Sequence, residues 1–325
     1  MWKRSARRTR RPRARLRGGV RQRPLGKSGI VVSEVGLGTW TFGGDWGPVE
    51  DSASQRAILR ALDLGITYVD VAAAWGRGKV ETLVGRAIAG KRDRLVIGAR
   101  VGVDLLDDGM RLAFSPDRLE AQLAATLGRL GTDRVDVVLL HGPSLDALRR
   151  GEFLQSFERW KASGKIRAWG ATVTAEEQAK TAMDAGAEIL ALPYNVLHGD
   201  VLHPIAPDLE EKKIGILAHS TLEYGLLAAR WSPSVRFGAD DHRSRRFRPM
   251  DLRARLKKVD KLRFLTEGTV QSMAEAAVRF VLSTSLVSCA VVGVRNPGQL
   301  DDLARASSEP YLDAAQLARI GEAIA

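Results

Sequence analysis

The sequence predicts an α/β protein of the (β/α)8 TIM-barrel class, with one extra helix after the last barrel unit. Three observations lead there. Eight short runs rich in aliphatic and β-branched residues alternate with longer amphipathic runs from about Leu25 onwards, as doubly buried parallel strands and their crossover helices should. A chain of 325 residues, 45% of them hydrophobic, can fill one such barrel. No GxGxxG follows the first run, so an open doubly wound sheet lacks its main support.

The strand candidates are VGLGTW (35–40), TYVDVA (67–72), RLVIGAR (94–100), VDVVLLHG (135–142), IRAWGATV (166–173), ILALPYN (189–195), GILAHSTL (215–222) and SCAVVGVR (288–295). The helices between them start at DSASQRAILRALDLG, whose Ile58, Leu59, Ala61 and Leu62 share one side before a glycine cap. SPDRLEAQLAATLGRLG opens with Ser115 as N-cap, Pro116 at the first helical position and Asp117 in the first turn. Further helices are expected near 175–186, 200–213, 269–284, 296–308 and 311–324, the last being the extra one. Some forty residues separate the seventh strand from the helix at about Thr269 and carry helical pattern in DLRARLKKVDKLRFL. A connection that long at a strand's C-terminal end reads as a lid or binding loop.

Charge is concentrated at one end. The formal net charge is +12, yet Met1 to Arg23 alone hold 11 Lys/Arg and no acid, leaving a nearly neutral body. Residues 1–22 are too charged and too poor in apolar groups to fold alone, and are expected to be a disordered basic tail ahead of a barrel domain at 23–325. The paired arginines precede no apolar stretch, no run is long enough to span a bilayer, and no basic stripe marks the body. A soluble cytoplasmic protein with no nucleic-acid or membrane partner is expected, its oligomeric state open. Cys289 is alone in an apolar run and reads as a core residue; no His/Cys cluster has metal-ligand spacing.

Functional groups of such barrels sit at the C-terminal ends of strands. Those ends carry Asp70 and Trp75 after strand two, Arg100 after three, His141 after four and Thr172 after five. Tyr194 and Asn195 follow strand six, His219 and Ser220 strand seven, Gly293 and Arg295 strand eight. Singly each has a structural explanation; together on one rim they mark a site. In GVRNPGQLDDL, Gly293 allows close backbone approach, Arg295 offers a fork for a phosphate, and Asn296 can cap a helix starting at Pro297.

These residues, in this order, resemble the aldo-keto reductase superfamily over nearly all of the chain from Arg23. RPLGKSGIVVSEVGLGTWTFGG is similar to that family's opening β-hairpin and first strand, TYVDVAAAWGRGKVETLVGRAI to its strand-two signature, and RVDVVLLHGP to the strand presenting its histidine. HSTLEYGLL resembles its pyrophosphate loop, AEAAVRFVLS the helix before strand eight, and VVGVRNPGQLDDL its site for the 2′-phosphate of NADP(H). The resemblance implies hydride transfer from NADPH to a carbonyl carbon, with an Asp, a Tyr, a Lys and a His at the centre. It places Asp70 and His141 at two of those positions, Trp75 at the tyrosine and Arg100 at the lysine. Neither replacement releases a proton in ordinary catalysis.

Further departures surround the implied nicotinamide: Thr172-Val173 for a Ser-Asn, Ala191 for a glutamine, His219 at the stacking position, Thr221 for a proline, and Glu223 as an added negative charge near the pyrophosphate path. Gly225, Leu226, Gly293, Arg295 and Gln299 keep the pattern. The catalytic candidates are therefore Asp70, Trp75, Arg100 and His141. The NADP(H) candidates are Thr172, Tyr194, His219, Ser220, Leu222, Gly225, Leu226, Gly293, Arg295 and Gln299. The favoured reading is an NADP(H)-dependent oxidoreductase with a non-standard site, reducing a conjugated C=C or a carbonyl of a small molecule. The alternatives are a non-redox lyase, dehydratase or cyclase on the same barrel, or an inactive cofactor-binding protein.

Overall fold

All eight predicted strands form, and they close on themselves. The computed structural model describes residues 19–324. A short hairpin, β1 (Gln22–Pro24) and β2 (Val31–Ser33), precedes β3 (Val35–Gly38), α1 (Asp51–Asp63), β4 (Tyr68–Ala72), α2 (Lys79–Ile88) and β5 (Val96–Val101). A second hairpin, β6 (Val103–Leu106) and β7 (Gly109–Leu112), leads to α3 (Pro116–Leu130), β8 (Val137–Leu140), α4 (Leu145–Arg150), α5 (Leu154–Ala162), β9 (Ala168–Thr172) and α6 (Glu176–Asp184). The chain continues through β10 (Ile189–Pro193), α7 (Ala206–Lys212), β11 (Gly215–His219), α8 (Arg243–Arg246), α9 (Pro249–Lys261), α10 (Met273–Leu282), β12 (Val287–Gly293), α11 (Pro297–Ala304) and α12 (Ala314–Ile324). The parallel barrel runs β3-β4-β5-β8-β9-β10-β11-β12 and closes from β12 back onto β3.

Two cores follow from strand alternation. Outward-facing Val69, Val71, Ile97, Val138 and Leu140 pack under the helices, while inward-facing Val96, Val137, Leu139, Ile189 and Leu217 fill the barrel. The interior also takes Tyr68, whose phenol has room only because strand neighbours lack side chains: a Cβ on Gly98 would lie 2.0 Å from its hydroxyl oxygen. Leu25, Ile30 and Val32 of the hairpin close the floor. Burying each such side chain contributes about 1.5–3 kcal/mol. One strand period above Tyr68 and Gly98 come Asp70 and Arg100, so the layer over the apolar plug is ionic. Cys289 lies inside the plug, where burial pushes its thiol well up and makes it inert.

Several local expectations shift. The helix expected at 200–213 is confined to 206–212, because Pro204 and Pro207 bracket its start and the chain before it turns. Ser115 stands at the N-cap of α3, but its side chain makes no cap bond. Asn296 does cap α11, accepting from the Gln299 N–H at 3.2 Å. The expected tail falls outside the described residues up to position 18. Gly19 to Gln22 already belong to the barrel: Val20 is buried and donates to the Leu64 carbonyl at 3.0 Å, and Gln22 begins β1. No helix among the described residues is long and apolar enough to cross a membrane.

Candidate active site

At the C-terminal end of the barrel Asp70, Arg100, His141 and His219 converge on the floor of a cleft of about 330 Å³. Register explains the first pair. Asp70 and Arg100 project inward from neighbouring strands, two residues apart in the β4/β5 ladder. Arg100 clasps Asp70 with both prongs, Nε to Oδ1 at 3.2 Å and Nη2 to Oδ2 at 2.7 Å. Its third nitrogen, Nη1, makes no hydrogen bond among the described residues and faces the cleft. The guanidinium also lies 5.0 Å from the centre of the Trp75 ring, which covers it as a cation–π lid. No hydrogen bond from the Trp75 indole N–H is found among the described residues, and Trp75 lines the same cleft.

Burial disfavours every charge on this floor, and the pair survives because it is paired. Burial raises the Asp70 carboxyl from its ordinary value, against the charge and hydrogen bonds of Arg100. Burial also works against the Arg100 charge, but Asp70 more than offsets it and the guanidinium is held above its usual value. The two histidines have no such partner. Burial, with the Arg100 charge beside it, pushes His141 down to about 3. His219 is pushed to about 3 by burial, Arg100 and His141 together. Both are therefore neutral near pH 7, and His141 is a hydrogen-bond donor rather than an acid. Its Nδ1 is buried without a partner, so placing the proton on Nε2 leaves only an acceptor lone pair unmet and turns an N–H to the cleft. The floor thus offers three unmatched N–H donors, on Trp75, Arg100 and His141. Its carboxylate is buried and paired with Arg100 through both oxygens.

The walls are aromatic and come from segments far apart in sequence. Trp40 and Trp75 lie 20° from parallel with centroids 6.4 Å apart; Trp46 and Tyr224 lie 23° from parallel at 5.9 Å. Trp40 turns its Nε1 away, to Asp45 Oδ2 at 2.9 Å. The long connection after β11 holds Ser220, Glu223 and Tyr224 at positive φ, a conformation that ordinary side chains disfavour and functional loops retain. It then crosses to the loop after β3, where the His242 N–H donates to the Asp45 carbonyl at 2.9 Å and Asp241 bridges Trp46. Arg243 locks the crossing, forked onto Asp241 and 5.1 Å over the Trp46 ring. Since β12 lies between β11 and β3, this crossing arches over Gly293.

Beyond the arch the cleft reaches Arg295, Gln299 and Asp302. Arg295 donates to the Trp46 carbonyl at 2.8 Å and to the Pro48 carbonyl at 2.5 Å, so its guanidinium is fixed in place with donors remaining. Asp302 is committed to Arg305 at 2.7 Å and Arg230 at 3.5 Å. Unmatched donors, the side-chain-free Gly293 and the N-terminus of α11 suit a ligand rich in acceptors such as a dinucleotide diphosphate.

The structure brings together most of the residues singled out in the sequence. Asp70, Trp75, Arg100, His141, His219, Ser220, Leu222, Gly225, Gly293, Arg295 and Gln299 all line the cleft. Thr172, Tyr194 and Leu226 do not. Thr172 is buried, accepting from the Gly142 N–H at 2.6 Å and donating to the Leu140 carbonyl, which props the His141 turn. Tyr194 stacks on Phe280 behind the barrel wall, and Leu226 is fully buried in a separate cluster with Phe247, Leu252 and Leu262 of the long connection. Glu223 is no free charge by the cleft: Arg255 at 3.1 Å, Asn195 at 3.3 Å and His198 at 3.5 Å hold its carboxylate. Sequence reasoning missed Trp46, Tyr224 and Arg243; the two tryptophans of TWTFGGDWGP, in a glycine-rich loop after the first strand, were the available signal for the first.

A (β/α)8 barrel whose polar groups converge from successive strand ends at one rim is an enzyme scaffold. The chain belongs to the aldo/keto reductase family, whose model matches residues 34–325. The aldo-keto reductase YhdN of Bacillus subtilis is 31% identical over 286 residues, covering 86% of each chain. The L-glyceraldehyde 3-phosphate reductase of Escherichia coli is 28% identical over 327 residues, covering 95% of this chain and 93% of that one. Among solved structures, the glycerol dehydrogenase AKR11B4 of Gluconobacter oxydans superposes with a TM-score of 0.79 at 27% identity, covering 91% of this chain and 92% of its own. The holo form of AKR11C1 from Bacillus halodurans reaches 0.80 at 22% identity, covering 94% and 97%, a likeness of fold.

Proposed function

We propose that the protein is an NADP(H)-dependent oxidoreductase that reduces a conjugated C=C or carbonyl compound without a proton donor of its own at the reacting oxygen. The observation that carries this is the floor of donors: Arg100 Nη1, His141 Nε2 and Trp75 Nε1 have no acceptor among the described residues, no lysine lines the cleft, and the lining phenol, Tyr224, stands in the wall against Trp46. Arg295, Gln299, Gly293, Ser220, Leu222 and Gly225 would hold NADP(H), which supplies hydride when bound. The chain's own contribution is electrostatic. Negative charge growing on a substrate oxygen meets a fixed cation and a neutral imidazole N–H in a dry site, where one such donor is worth about 10²–10³ in rate. Asp70 fixes Arg100 and keeps the pair net neutral, so the site accepts an uncharged substrate. Proton delivery falls to solvent, because His141 near 3 carries no spare proton at neutral pH. A conjugated C=C suits this best, since its enolate tolerates delayed protonation at carbon.

Calorimetric titration with NADPH and NADH tests the reading. NADPH should bind more tightly, and Arg295→Ala should remove most of the preference, about 1.5–3 kcal/mol for charged hydrogen bonds. Because Arg295 also braces the 46–48 loop, the ratio of the two affinities is the readout rather than either alone. Equal affinities in the unmutated protein would overturn the phosphate-site assignment. Failure to bind either cofactor would overturn the oxidoreductase reading.

A further inference from the structure

We infer that the substrate is a planar conjugated compound bearing acceptors and no hydroxyl donors near its reacting end, such as a quinone or ring-fused enone, and not a polyol or sugar. This rests on the reductive reading above. The cleft offers more unmatched donors than free acceptors. On the floor, three N–H groups wait for acceptors, while each Asp70 oxygen already accepts from Arg100 and the side chain is only 3% exposed. The other side-chain acceptors there are His219 and Ser220, whose Nδ1 and Oγ lie 3.2 Å apart and share a hydrogen bond, and the Tyr224 hydroxyl adds one in the wall. The surrounding walls are ring faces, Trp40 with Trp75 and Trp46 with Tyr224. Each polyol hydroxyl buried there without an acceptor costs about tenfold in affinity. A flat ring system loses nothing of that kind and is covered on its faces by the indoles.

The chemistry balances on such a substrate. A C–H bond forms at the β-carbon with hydride from NADPH, which is oxidised to NADP+. The C=C π pair shifts to join the α-carbon to the carbonyl carbon and the C=O π pair moves onto the oxygen, where Arg100 and His141 hold the enolate; water then gives a proton to the α-carbon and leaves hydroxide. Trp40 and Trp75 are the specificity residues in this scheme. The two relatives named for glycerol and L-glyceraldehyde 3-phosphate handle hydroxylated compounds, so this cleft should part from them in ligand choice.

The test is calorimetric binding of coumarin, D-xylose and glycerol to the full chain saturated with NADP+, which cannot reduce coumarin, with NADPH absorbance followed to detect any oxidation of the polyols. Coumarin should bind at least about a hundredfold more tightly than either polyol, as two or more unmatched hydroxyls require. Trp40→Ala and Trp75→Ala should each weaken coumarin at least about tenfold. Trp75→Phe, which keeps a ring, should stay within about fivefold and guards against a folding artefact. Comparable binding of the polyols, or unchanged coumarin affinity in a well-folded Trp75→Ala, overturns the substrate class. Coumarin that binds yet is never reduced with NADPH supports the class and removes the reductive reading. Turnover of D-xylose without coumarin binding does the reverse.

Discussion

Replacing Arg100 by Met should expose how the floor is held together. The Asp70 side chain is 3% exposed and that of Arg100 10%, so the substitution strands a carboxylate in a dry layer. Breaking a buried pair from one side costs about 3–5 kcal/mol, and loss of the Trp75 contact adds about 1 kcal/mol. Against a typical total of about 5–15 kcal/mol, the variant should be folded but weak. With Arg100 gone, only burial acts on Asp70 and its folded pKa rises further above the unfolded one. The folded chain then holds a proton that the unfolded chain releases, so the deficit grows as pH rises above the unfolded carboxyl value and shrinks toward pH 4. Removing both charges in Asp70→Asn/Arg100→Met should restore most of the loss. Urea midpoints of the wild type, both single variants and the double variant, at pH 5 and 7.5, give the coupling directly. Additive single effects, or a deficit independent of pH, would refute the account of an ion pair stabilised by mutual neutralisation.

Trp75→Tyr should not create a conventional aldehyde reductase, because the smaller ring uncovers Arg100 and breaks the stack with Trp40; robust NADPH oxidation with a panel of small aldehydes would contradict this. His141 and His219, near 3 when folded, make the unfolded chain take up protons that the folded chain refuses as pH falls below 6.5. Stability should therefore drop by about 1.4 kcal/mol per pH unit for each histidine between pH 6.5 and 5, and His219→Gln should flatten that slope by about half their joint share; identical slopes would rule it out. A chain beginning at Gly19 should melt within about three degrees of full length. One beginning at Gln22 should lose about 1–3 kcal/mol with Val20 and the Arg21 N–H bond to Ser307 Oγ; equal melting of the two would show that residues 19–21 contribute nothing.

What could be read in the sequence was whatever repeats locally. Doubly buried strands are continuous apolar runs, and all eight observed barrel strands overlap the eight predicted ones. The barrel rule then pointed to Asp70, Arg100 and His141, because strand ends need no knowledge of long-range contacts. Local punctuation misled elsewhere. VDLLDDGMRL has the Asp-Gly of a turn between two short arms, yet it followed a strand so closely that β6 and β7 passed as a loop. Helix α2 was hidden behind the glycines of AWGRGK, and α4 by its six-residue length. Of the cleft walls Trp75 was legible, but its pairing with other rings was not. No local pattern announces that Tyr224 will stack on Trp46, or that Arg295 will be braced by carbonyls at positions 46 and 48. Nor does spacing reveal that Glu223 is neutralised by an arginine on α9.

The arch between Asp45–Trp46 and Asp241–His242 changes the kinetic character of the cleft. Without it, a long ligand could settle sideways onto the rim and leave the same way. With it, anything extending from His141 to Gln299 must thread beneath backbone hydrogen bonds, and escape waits for them to part. Release from beneath the arch then includes a loop opening, a motion that typically runs in microseconds to milliseconds, in addition to whatever holds the ligand itself. Affinity and exchange rate become separately adjustable: the cleft residues govern the first, and Arg243, forked onto Asp241 and laid over Trp46, governs the second.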